Sequence, residues 1–194
     1  MKRAFWLGTV LALHPAGGYA AAVKPVVSVK IDEGTPRYVY ENKNFECSGA
    51  HGENLGCTRV HFYVGYDNVM IAPDGTLAGL ELLVGLENVE VEISTELEKG
   101  SCQFNATLKH ELTHLNLHRR VLKHHAPEIA KSVLAALDKM RPPVTLKRAM
   151  SAVDKVTSAG LKRMMADDSQ KNALMDTDKA YAYVSRQCPE EEQK

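Results

Sequence analysis

His110, Glu111 and His114 are the residues whose types and spacing point most directly to chemistry. In the run His110-Glu111-Leu112-Thr113-His114 the two histidines stand one helical turn apart, so on a helix both imidazoles leave one face and can grip a single Zn²⁺. Glu111 then falls beside the ion as a general base instead of a ligand. Zinc lowers the pKa of a bound water towards about 7, and Glu111 would accept the proton as the hydroxide attacks a carbonyl polarised by the same ion. The expected reaction is hydrolysis of a peptide or related amide bond, with Zn²⁺ as cofactor, His110 and His114 as metal ligands and Glu111 as the catalytic base. Two solvated surface histidines are the plain alternative. Against it, His110 and His114 share a stripe with Leu117 and Val121, and a buried histidine pair needs partners, of which a metal is one.

The elements that must position this pair change character near residue 101. Upstream, the runs 26–31, 37–40, 59–66, 68–72 and 88–94 read as short strands, separated by the turn signals Gly34-Thr35-Pro36 and Pro73-Asp74-Gly75. The clearest strand alternates Val89, Val91 and Ile93 with Glu90 and Glu92, a period of two that puts apolar groups on one face and acids on the other. Residues 77–86 fit strand or helix. Downstream, Thr107, His110, His114, Leu117, Val121 and His125 recur at three- and four-residue steps, which predicts a helix over 103–125 with Ser101 as its N-cap. Pro127 should start a second helix carrying Ile129, Val133, Leu137 and Met140, ended by Pro142-Pro143. Helical stretches are also expected over about 145–165 and 169–187. The fold expected is α+β: an N-terminal twisted, mainly antiparallel β-sheet over 23–100, then the active-site helix and a C-terminal helical portion over 101–188, in a single domain spanning 23–194.

With these elements in place, the chain resembles the zincin superfamily of metallopeptidases over roughly residues 88–125. That superfamily joins a twisted sheet, whose edge strand aligns substrate, to a helix carrying H-E-x-x-H. The resemblance implies zinc on His110 and His114, Glu111 as base, and 88–94 as the edge strand. The metzincin pattern requires glycine and histidine where this chain has Leu117 and Arg120, which excludes that subgroup.

A third protein ligand is left open. Glu128 is the sole glutamate between Glu111 and Glu190 and stands at the start of the next expected helix, too far for a gluzincin arrangement. A return helix turning near Ala126 would bring Asp138 back beside His114, resembling the aspartate-liganded zincins in ligand type, although Asp138 lies off the Ile129, Val133 and Leu137 stripe. Asp154, Asp167, Asp168, Asp176 and Asp178 cannot be ranked by spacing, and His51 and His61 are further candidates. His118 continues the four-residue series, but eight residues place it about 12 Å from His110 along a straight helix. His124 and His125 are expected at a helix end, favourable against its dipole. Tyr181 and Tyr183 could serve an oxyanion or simply pack.

The rest of the chain bounds where such a reaction would run. Lys2 and Arg3 precede an apolar stretch of about ten residues and a small-residue run ending at Ala22, the pattern of a cleaved signal peptide over 1–22. The stretch is too short to span a membrane, so no span is expected after cleavage. The predicted location is therefore periplasmic or secreted. Four cysteines in the remaining chain are expected to pair Cys47 with Cys57 and Cys102 with Cys188. The 24 Lys and Arg balance 24 Asp and Glu, and removal of Lys2 and Arg3 leaves the acids two ahead, which points away from nucleic acid. The expected partner is a peptide, protein or cell-wall peptide substrate; oligomeric state is not legible. The rival class is a zincin-like metal-binding envelope protein that acts through partner binding without hydrolysis, and Glu111 argues against it because such a protein needs no base.

Overall fold

The computed structural model describes residues 24–41, 55–141, 144–177, 186 and 188. The described elements are, in chain order, β1 (Val26–Asp32), β2 (Arg37–Glu41), β3 (Gly56–Ile71), β4 (Leu77–Ser94), α1 (Cys102–Asp138) and α2 (Leu146–Ala173). The α+β class expected from the switch of periodicity holds. The expected signal peptide over 1–22, together with Cys47, His51, Asp178, Tyr181 and Tyr183, lies outside the described residues.

β4 is the middle of the sheet. On one side β3 runs antiparallel to it, from Gly56 opposite Ile93 to Ile71 opposite Leu77. On the other side β1 and β2 lie end to end, both parallel to β4 at the same sequence offset of 53, as Val26 with Gly79 and Arg37 with Glu90 show. The sheet is therefore mixed, which corrects the expected mainly antiparallel arrangement; alternation reports which face a residue occupies and carries no strand direction. The expected edge strand at 88–94 is also corrected. It is the second half of central β4, whose main-chain groups are engaged on both sides.

Two bulges explain why long strands read as fragments. Arg59 pairs with Glu90 but His61 with Glu87, so β4 holds an extra residue there, and Asn88 takes a left-handed φ of 51°. Leu80, Leu82, Val84 and Leu86 are buried in the core before the bulge, and Val89, Val91 and Ile93 after it. A second shift at Tyr66 and Asn68 leaves Asp67 as the extra residue in β3 and joins the two expected strands 59–66 and 68–72. The β3–β4 hairpin closes through Ala72-Pro73-Asp74-Gly75, with Gly75 N–H donating to the Ala72 carbonyl and Asp74 Oδ1 accepting from Thr76 N–H.

Both helices cover one face of this sheet. Ser101 caps α1 as expected, accepting from Phe104 N–H. The expected stop at Pro127 does not occur: α1 runs through it to Asp138. Proline inside a helix costs about 3 kcal/mol. Ile129, Val133 and Leu137 beyond it are buried on the stripe set by Leu115, Leu122 and Ala126, and each such burial contributes about 1.5–3 kcal/mol, so continuation wins. His124 and His125 thus sit within a helix and not at its end. The expected break between 165 and 169 is likewise absent, since α2 continues to Ala173. α1 and α2 pack antiparallel and approach closely at Gly160, where a β-carbon would lie 2.6 Å from Ile129 Cγ1.

Candidate metal centre

The antiparallel helix pair sets two polar ladders face to face. His110, His114 and His118 descend α1 at four-residue steps, while Asp176, Asn172 and Asp168 ascend at the same step from just beyond the end of α2. His114 Nε2 lies 2.9 Å from Asp176 Oδ1, His110 Nε2 lies 3.4 Å from the same oxygen, and the two Nε2 atoms are 3.1 Å apart. On the other side of its ring, His114 Nδ1 stands 2.7 Å from Asn172 Oδ1. His118 Nδ1 stands 2.7 Å from Asp168 Oδ1, and further along His125 Nε2 is 3.0 Å from Asp167 Oδ2.

Among the described residues, His110, His114 and Asp176 form a group that could hold a metal ion. Donors held at about 2.0–2.1 Å around one tetrahedral ion stand about 3.3 Å from one another. The three observed separations of 2.9, 3.1 and 3.4 Å match that triangle. A nitrogen and oxygen donor set of two imidazoles and one carboxylate suits Zn²⁺.

Glu111, one residue along from His110, turns towards the sheet. It is 5% exposed, and the Thr58 hydroxyl on β3 lies 2.9 Å from both Glu111 Oε2 and the Glu111 carbonyl oxygen. Gly56 makes this approach possible, because a β-carbon there would lie 2.7 Å from Thr107 Cγ2 and 2.9 Å from Glu111 Cγ and Oε1. Burial pushes the Glu111 carboxyl above its ordinary range, against the lowering influence of His114, Thr58 and His110. For Asp176, burial alone would raise the carboxyl, but hydrogen bonds and charge from His110 and His114 outweigh it and hold the group well below the usual range. His114 is opposed by burial yet raised overall by Asp176 and Asn172.

The other ligand candidates are elsewhere. With α1 unbroken, Asp138 lies about 42 Å along the helix from His110, and no return helix follows Ala126. Glu128 is about 27 Å away on the same measure and pairs with exposed Lys131. His61 is on the sheet, its Nδ1 3.2 Å from Asn88 Nδ2. Asp154 pairs with Tyr66, Asp167 with His125 and Lys171, and buried Asp168 with His118. His118 is accordingly a polar neighbour of the group and not one of its three members.

Thr58 and Asn172 were missed from sequence. The recurrence of Asp168, Asn172 and Asp176 at the histidines' own spacing was the signal available for Asn172 and Asp176; nothing marks Thr58 among other strand threonines. Cys102 and Cys188 are bonded to each other as expected, joining the first turn of α1 to the chain beyond Asp176. Cys57 is also disulfide-bonded, and its expected partner Cys47 lies outside the described residues. Comparison with known proteins finds no family model, no curated protein and no solved structure that matches this chain.

Proposed function

We propose that this chain is an exported zinc-dependent metallopeptidase, with His110, His114 and Asp176 as the protein ligands and Glu111 as general base. The observation that supports it most is the convergence of His110 Nε2, His114 Nε2 and Asp176 Oδ1 on one tetrahedral-sized triangle beside a buried glutamate. The ligand set resembles that of the aspartate-liganded zincins, with Asp176 in the role first considered for Asp138.

Zinc bound there would supply Lewis acidity and lower the pKa of a water towards about 7. Glu111 would accept the proton from that water and return it to the leaving amine. Thr58 engages Oε2, and the absence of a side chain at Gly56 leaves room for the carboxylate against β3. A carboxyl raised by burial is a stronger base than an exposed one, closer to what proton transfer near neutral pH requires. The substrate class is a peptide, a protein or a cell-wall peptide. The leader-like N-terminus and the Cys102–Cys188 bond support a periplasmic or secreted location.

Glu111→Gln tests this reading. The variant should keep its zinc and fold while losing about 10²–10⁴ in turnover on any peptide that the wild type cleaves, because Glu111 serves the water and not the ion. Equal turnover would reject Glu111 as base. A zinc-loaded wild type inert towards a peptide library and cell-wall fragments would turn the reading to a metal-binding protein that does not hydrolyse.

A further inference from the structure

The balanced charge of the whole chain conceals a local excess on α2, which carries six cations, Lys147, Arg148, Lys155, Lys162, Arg163 and Lys171, against three acids. All three acids are committed elsewhere: Asp154 pairs with Tyr66 on β3, Asp167 with His125 and Lys171, and Asp168 with His118. The five cations other than Lys171 are exposed, and none of their charged groups has a partner among the described residues. Arg148, Lys155 and Lys162 recur at seven-residue steps, so they stand in one row about 21 Å long, opposite the buried Ala149, Val153, Gly160 and Met164. Between them the solvent side of the helix holds Ser151, Ser158 and Ala159, side chains too short to keep a flat surface off the row. At the first turns of α2, Lys147, Arg148, Ser151 and Lys155 also line an open hollow of about 470 Å³.

We propose that this face of α2 docks on an anionic bilayer, where Arg148, Lys155 and Lys162 meet phosphate headgroups. What the face offers is complementary charge with no demand on the partner's shape. Protein partners are held by aromatic and apolar anchors, and single-stranded nucleic acid by stacking on aromatic rings, but α2 contains no aromatic residue. A plane of phosphates needs neither, since each Lys or Arg near an anionic leaflet strengthens binding about fivefold. The hollow beside Lys147 gives one headgroup a seat among three cations. The contact is peripheral: the apolar side of α2 is already buried against α1 and β3, and no helix among the described residues is long and apolar enough to cross a membrane. Nothing in this inference rests on the metal centre.

The test is co-sedimentation of the protein, purified after export, with vesicles of phosphatidylcholine alone or with one third phosphatidylglycerol. It should bind the second and not the first, and bind less tightly as salt is raised. Binding to both equally, or to neither, overturns the proposal before any variant is made. The triple variant Arg148→Gln, Lys155→Gln, Lys162→Gln should bind about 100-fold more weakly, and Lys155→Gln alone about fivefold. A second triple, Lys30→Gln, Arg37→Gln, Lys131→Gln, removes the same net charge from exposed positions paired with Asp67, Glu90 and Glu128, and should bind nearly as the wild type does. Equal losses in the two triples would mean attraction by the charge of the whole molecule and would overturn the role of α2. Soluble polyphosphate or duplex DNA, added at the phosphate concentration of the vesicles, should compete weakly; complete release of the protein by either would make the occupant a soluble polyanion and reject the bilayer.

Discussion

Asp176 joins the two histidines from a turn beyond α2, its N–H bonded to the Asn172 carbonyl, and this location separates binding from folding. Asp176→Ala deletes one side chain from a site edge and leaves both helices intact. Losing an outer partner typically costs about 10–100-fold in affinity, so removing a proposed ligand should cost more than about 100-fold, read by chelator competition alongside an unchanged helical circular dichroism signal. Proton competition supplies a second expectation. Burial disfavours charge on His114, but Asp176 and Asn172 outweigh it, so the ring of the ion-free protein stays charged above the ordinary histidine value of about 6.5. A raised group stabilises the fold below its unfolded pKa and loses that contribution as pH rises through its folded pKa. Zinc needs the neutral ring, so affinity should begin to fall on acidification from above about pH 6.5. Asp176→Ala should shift that onset downward; an unmoved onset in zinc titrations across pH would show that Asp176 does not hold the proton there. The histidine pair was legible because its spacing is local. Asp176 was one of five downstream aspartates until the facing four-residue ladders selected it.

Among the elements, α1 carries a removable penalty. Pro127 has no N–H for the Lys123 carbonyl, so Pro127→Ala should stabilise the protein by about 1–3 kcal/mol, measured as a higher urea midpoint. No gain would mean that the surrounding helix has already relaxed around the proline. At the contact of α1 with β3, Gly56→Ala must push back Thr107 or Glu111, at a cost of about 1–3 kcal/mol. Its turnover should fall more than its zinc affinity, because the displaced group is the proposed base. Element types were readable from periodicity, but their joins were not. Asn88 and Asp67 each add a residue that reverses the alternation, so β3 looked like two short strands and β4 like an ambiguous run followed by a short strand. Pro127 looked like a boundary because its local cost is visible in sequence, whereas the burial that offsets it belongs to the packed helix.

For the whole molecule, the Cys102–Cys188 bond spans 86 positions and encloses both helices. Closing a loop of that size stabilises by about 4–5 kcal/mol on the chain-entropy model, so the double Cys→Ser variant should lose that order of unfolding free energy in urea. Much less would mean that the unbridged chain stays compact when unfolded. The sheet's register has a kinetic side. β3 and β4 meet through a short turn, but β1 and β2 reach β4 only across an offset of 53. The short loop closes at small entropic cost, while the parallel edge must wait for the whole hairpin to be made and paired. Gly75→Ala, which strains a φ of 79° at the turn, should therefore slow refolding, whereas Val29→Ala in β1 should mainly hasten unfolding. Stopped-flow chevrons with those effects exchanged would place the nucleus at the parallel edge. With the expected order, the N-terminal strand is the last to arrive although it is the first to be synthesised, and a chain threaded across a membrane unfolded would hold that strand unpaired until the hairpin emerges behind it.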